Sequence, residues 1–173
     1  MTQELAAVDW TSLHDAYGPA TDAPTHLRAL LEGDASAQRA AVSYLDGALL
    51  HQGTPFTATP EAARFVGRHL ADPRVAPVRP ALVDFLAGVV EAGSTLTDEE
   101  LAAMALPDLD ERLATLEDPM GEVEVADAVY ARSVRGCREV GEELVGPSSD
   151  RSAVVTALWS LSGEALPEPG GAR

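Results

Sequence analysis

Apolar residues recur at three- and four-residue spacing along most of this chain, and polar capping residues punctuate the runs. Behind Asp34, the positions Ala40, Ala41, Tyr44, Leu45, Ala48 and Leu49 form one stripe, which predicts a helix over 35–50. Asp9 predicts a short helix from Trp10 towards Tyr17, closed by Gly18. Thr21 or Asp22 opens the next, with Pro24 in its first turn and Gly33 past its end. Thr59 reads as the cap of a helix over 60–71 with Pro60 in first position. Pro77 and Pro80 stand at the start of a helix over 76–91, where missing amide donors cost little. Beyond Gly93 the pattern loosens. Thr97-Asp-Glu-Glu100 has the form of a capping box before a helix ending near Leu106. Pro107 and Pro119 bracket a helix over 108–117. Residues 122–145 predict a long helical stretch weakened at Gly136 and Gly141. A Gly-Pro-Ser-Ser-Asp turn leads into 150–162, with Val154, Val155, Leu158, Trp159 and Leu161 as its stripe. No strand pattern of any weight is present.

Two of these helical pairs repeat. Shifted by 41 residues, Val42, Tyr44, Leu45, Gly47, Ala48 and Leu49 fall on Val83, Phe85, Leu86, Gly88, Val89 and Val90. Each first helix ends in an acidic turn, Gly33-Asp34 or Asp72-Pro73, and an arginine, Arg39 or Arg79, stands near the start of each second helix. A period near 40 with two helices per unit is the signature of a HEAT-type stack. Long helix, turn, Arg151 and apolar helix make a divergent third unit. The expected fold is all-α: a HEAT-like α-solenoid of about three helical-pair repeats. It forms one domain over 1–163, with an acidic, irregular segment at 94–121 and a disordered tail over 164–173.

Composition narrows the function classes. The 173 residues carry a net charge of −16, and every one of the 12 positive side chains is arginine. Residues 98–127 hold 11 acids against Arg112 alone. A chain this acidic is repelled by nucleic-acid phosphates. No run suits a membrane span, and MTQELAAVDW has neither the basic nor the apolar region of a signal peptide. The single cysteine, Cys137, excludes an internal disulfide. Cytoplasmic location is the expectation. The absence of Lys, Asn and Ile matches avoidance of AT-rich codons and points to a GC-rich bacterial genome.

Two stretches carry a family resemblance. The segment Trp10-x-x-Leu13-x-x-Ala16-Tyr17-Gly18-x-Ala20-x-x-Ala23-Pro24 and the later His51-Gln52-Gly53-Thr54-x-x-x-Ala58-Thr59 resemble bacterial HEAT-repeat-domain proteins of the actinomycete type. The resemblance covers roughly 9–91, with weaker support at 127–162. It implies an α-solenoid that binds another macromolecule, in some members within toxin–immunity systems.

Candidate chemistry is sparse. His14, His26, His51 and His69 lack metal-ligand spacing, and no HExxH helix is present. Asp108, Asp110 and Glu111 fail an EF-hand, because the sixth loop position is Leu113 where glycine is needed. Cys137 lies between Arg135 and Arg138 and reads as a small buried residue more readily than as a thiolate. No catalytic residue, metal site or cofactor is expected. The candidate partner-binding residues are His51, Gln52 and Thr54 in the HQGT loop, and Glu99, Glu100 and Asp110 in the acidic block. A helix C-terminal cap is the competing role for HQGT, and a solvated face for the acids. The expected function is a non-enzymatic protein-binding module of adaptor or toxin-immunity type, with a basic protein as partner. The alternatives are a HEAT-like-repeat enzyme of DNA-glycosylase-like architecture and an acidic mimic of nucleic acid.

Overall fold

The computed structural model describes residues 2–115, 121–147 and 150–166. Among these the chain forms nine helices, α1 to α9, and one two-residue hairpin. Helix α1 (Thr2–Ala6) leads into the first departure from the sequence pattern. Residues 10–17 are not a helix. Asp9 accepts from the backbone and hydroxyl of Thr11, and its carbonyl from Ser12, which makes a turn. Trp10 is buried, its indole N–H donating to the Leu5 carbonyl (2.9 Å). The chain then forms β1 (His14–Asp15) and β2 (Gly18–Pro19), antiparallel, with His14 opposite Pro19 and Asp15 opposite Gly18. Distant backbone sets this shape. The His14 N–H donates to the Thr57 hydroxyl, the Ala58 N–H to the His14 carbonyl, and the Ala16 N–H to the Ala48 carbonyl.

The helical pairs follow. Helix α2 (Ala23–Glu32) packs on α3 (Ala35–Tyr44), which continues through a π-turn, Leu45–Leu49. Asp34 caps α3 by accepting from Ser36 and Ala37. Buried Gln38 donates to the carbonyls of Leu30 and Arg74, tying this pair to the next turn. Helix α4 (Thr59–His69) begins behind Ala58, not behind Thr59. The Thr59 hydroxyl donates instead to the Leu49 carbonyl and accepts from Phe56 N–H, so tertiary contact has taken the capping group. The expected helix over 76–91 is divided. Asp72 caps a 3-10 turn, Pro73–Val78, and only then does α5 (Arg79–Gly93) begin. Pro77 sets that boundary, since it supplies no amide donor.

Helices α6 (Asp98–Ala103) and α7 (Leu109–Thr115) each pack on α8 (Val123–Val145). The capping box of α6 is present in full, Thr97 with Glu100. Pro119, the expected end of the 108–117 helix, lies outside the described residues. Helix α8 runs unbroken through Gly136 and Gly141. Gly136 is there for contact: a β-carbon on it would stand 2.6 Å from Pro60 of α4. Gly93 plays the same part on α5, where a β-carbon would come within 2.6 Å of the Arg138 backbone nitrogen. Helix α9 (Arg151–Leu161) starts behind Asp150, which accepts from Ser152 and Ala153. Of its expected stripe, Val154, Leu158 and Trp159 are buried, while Leu161 is exposed.

Helix α4 touches both α2 and α8, and α5 touches both α8 and α9. One continuous core joins them, with Leu27, Leu49, Phe65, Phe85, Leu86 and Leu158 among its largest members. At roughly 25 cal/mol per Å2 of apolar surface removed from water, such side chains supply the main drive to fold. The repeat alignment pairs Tyr44 with Phe85, but their environments differ. Phe85 is 1 % exposed; Tyr44 is half-buried because its phenol reaches out to Asp15. Among the described residues no helix is long and apolar enough to cross a membrane.

Candidate functional site

The hairpin stands between two cavities: Asp15 and Pro19 line the first and His14 the second. The first is a cup of about 430 Å3 walled by Asp15, Tyr17, Asp22, Ser43 and Tyr44, with Gly47 and Ala48 of the π-turn. Asp15 organises it, accepting from the Tyr17 backbone N–H (2.8 Å) and from the Tyr44 hydroxyl (2.7 Å). His26 of α2 stacks on Tyr44, with ring centroids 4.2 Å apart and planes 10° from parallel. Burial raises the Tyr44 phenol above its ordinary value, and the bond it donates to Asp15 and the charges of Asp15 and Asp22 push the same way. Both carboxylates therefore act on one hydroxyl. Tyr17 is 77 % exposed at the rim.

Asp22 behaves unlike the other helix-opening aspartates. Asp34, Asp72 and Asp150 each accept backbone N–H bonds at their helix or turn. Asp22 occupies the same kind of position before α2, yet its side chain makes no capping bond. Its carboxylate also has no ion pair among the described residues. Nearby, desolvation pushes Asp46 above the ordinary carboxylate range and the charge of Asp84 adds to the effect. Asp46 precedes Gly47 in the π-turn, but neither it nor Asp84 of α5 lines the cup.

The HQGT loop lies beside it. His51–Gly53 is a 3-10 turn with Gln52 at φ 53° and Gly53 at φ 80°. His51 Nδ1 is 2.9 Å from the Gly47 carbonyl. A carbonyl only accepts, so that nitrogen carries the hydrogen and His51 satisfies a helix-end carbonyl. The same imidazole meets Tyr17 edge-on at 6.1 Å. The loop thus does the work of a cap and braces the cup. Gln52 and Thr54 are exposed.

The acidic block is engaged elsewhere. Glu100 is used in the α6 capping box, and Asp110 pairs with Arg132 (2.6 Å). Asp98 pairs with Arg138, and Asp108, Glu122 and Glu124 all face Arg112. Glu99 is exposed, with no ion pair among the described residues. No hydrogen bond or ion pair joins the HQGT residues to Glu99, Glu100 or Asp110 among the described residues. Asp110 instead lines the second cavity, a groove of about 680 Å3 whose walls include His14, Pro60, Arg64, Leu113 and Arg135. Its charges largely cancel, since Arg64 is held by Glu61 (2.8 Å) and Glu143 (3.2 Å) and Arg132 by Asp110.

The cup residues Asp15, Tyr17, Asp22 and Tyr44 went unmarked in the sequence as site residues. The one signal was Tyr17-Gly18, a bulky residue beside a turn glycine at φ 138°. Cys137 is fully buried, and burial pushes its thiol up to about 12, so it is inert at neutral pH. Among the described residues no three His, Cys, Asp or Glu side chains converge as a metal site requires. No known family model, curated protein or solved structure matches the chain.

Proposed function

We propose that this chain is a non-enzymatic protein-binding module, of adaptor or toxin-immunity type, that docks a basic protein partner. In this reading α2–α3, α4–α5 and α8–α9 are three HEAT-like units, with the contacts of α4 to α2 and α8 joining the first helices of successive units. The observation that carries the reading is the partition of negative charge. Six acids of the 98–127 block face arginines or complete a cap, whereas Asp15 and Asp22 line the cup together without an ion pair among the described residues. Unneutralised carboxylates steer a basic surface and raise its on-rate. The primary docking surface therefore moves from Glu99, Glu100 and Asp110 to the cup and the HQGT loop beside it.

The test is comparative capture from a lysate of the source organism, quantified by mass spectrometry. Wild type should enrich a basic protein, the Glu99→Arg/Glu100→Arg variant should retain it, and Asp22→Arg should lose at least about tenfold of the enrichment at low salt. Equal capture by all three, or enrichment of acidic proteins alone, would sink the reading.

A further inference from the structure

We infer that the cup is a receptor for one guanidinium side chain, an arginine presented by the partner; this rests on the protein-binding reading. The walls state the chemistry. Two carboxylates, Asp15 and Asp22, face the space together with two tyrosine rings and the Ser43 hydroxyl, and none of the lining residues is cationic. At about 430 Å3 the cup is at the small end of ligand-sized clefts, which run from roughly 300 to 1,000 Å3. It holds one long side chain, not a folded segment.

The carboxylates are poised for an outside donor. Asp15 is fixed in place by Tyr17 and Tyr44 while each of its oxygens keeps a lone pair free. Asp22 stands where an aspartate caps a helix and does not cap it, so its charge is uncommitted. Tyr44 is clamped between its bond to Asp15 and its stack on His26, and Tyr17 meets His51 edge-on at the rim. Tyr17 nevertheless leaves 77 % of its surface in water. An exposed, braced ring beside paired carboxylates suits a cation with a flat face. Guanidinium stacks on an aromatic ring and offers forked N–H donors to carboxylate oxygens at the same time; an ammonium does only the second well. A hard metal ion fits poorly, because it calls for six or more oxygens or three firm ligands, and such a cluster is missing among the described residues.

The probes are capped Gly-Arg-Gly, Gly-Lys-Gly and Gly-citrulline-Gly tripeptides, titrated into isotope-labelled protein and followed by amide chemical shifts. The arginine peptide should shift Tyr17, Ser43, Tyr44 and Gly47 saturably. The lysine peptide should bind at least about threefold more weakly, and the neutral citrulline peptide should leave these amides unmoved. Tyr17→Ala and Asp22→Asn should each weaken the arginine peptide about threefold or more without lowering Tm, since neither side chain is buried or caps a helix. Equal binding of arginine and lysine, shifts spread over every acidic surface, or indifference to both substitutions would overturn the inference. Undiminished capture of a basic partner by these two variants would also overturn it, while leaving the protein-binding reading intact. Arginine-peptide binding in the cup, with partner capture insensitive to charge reversal there, would uphold the cup and sink the wider reading.

Discussion

A 41-residue shift sets Tyr44 on Phe85, yet Phe85 is core and Tyr44 is half-buried at the wall of the cup. Phe85→Ala should destabilise by about 3–5 kcal/mol, because a fully buried ring leaves a cavity. Tyr44→Phe keeps the ring and removes the bond to Asp15, so it should cost only about 1 kcal/mol. Chemical denaturation of both variants checks the contrast; equal losses would mean that Tyr44 is core after all. Asp46 carries a further residue-scale consequence. Desolvation, then Asp84, raises its folded pKa, so the folded state binds the proton more tightly than the unfolded chain does. Charged Asp46 therefore opposes folding at neutral pH, and the opposition fades as pH falls through the raised value. Asp46→Asn should increase Tm at pH 7, with the gain shrinking on acidification and gone below the ordinary value of 3.8.

At the scale of elements, the contact of α5 with α8 depends on the absence of a side chain. A methyl group on Gly93 would press on backbone atoms of Arg138, which have no rotamer to yield. Gly93→Ala should therefore destabilise by about 1–3 kcal/mol, against the usual gain from replacing a helical glycine. Thermal melting measures it, and a rise in Tm would refute this packing. The same logic separates what the sequence reveals from what it conceals. Asp34, Asp150 and the Thr97–Glu100 box act within three residues, so their helices were legible. Residues 10–17 satisfy the same local pattern, but their backbone partners are Thr57, Ala58 and Ala48, and tertiary bonds override local preference. Thr59 was misplaced as a cap for the same reason. Gly136 looked like a weakness because its value is the room it leaves for Pro60, which no local pattern displays. The cup was hidden because its walls come from three separate elements, and Tyr44 looked like core when its ring is also a wall.

For the whole molecule, the net charge of −16 sets a general condition. Self-repulsion of that size strains a small folded chain, and salt relieves it, whereas each exposed ion pair lost to screening is worth only about 0–1 kcal/mol. Tm should therefore rise between roughly 10 and 150 mM NaCl, as the screening length falls from about 30 to 8 Å. A fall would show that the arginine pairs outweigh the repulsion. A second whole-chain condition comes from Arg79, which is 2 % exposed and donates to the carbonyls of Leu70 and Asp72. Its one carboxylate partner among the described residues is Glu164, on the far side of α9.

That pairing spans 85 residues and gives the fold a timetable. Ribosomes deliver a chain from its N-terminus, so Arg79 emerges long before its counter-charge. Until then it has only the carbonyls of Leu70 and Asp72, and a buried charge without its counter-charge is costly. The turn before α5 should therefore be less well closed in a chain that lacks the Glu164 carboxylate. Limited proteolysis should cut Glu164→Gln near Asp72–Arg79 faster than wild type, and equal rates would show that the two carbonyls satisfy Arg79 alone.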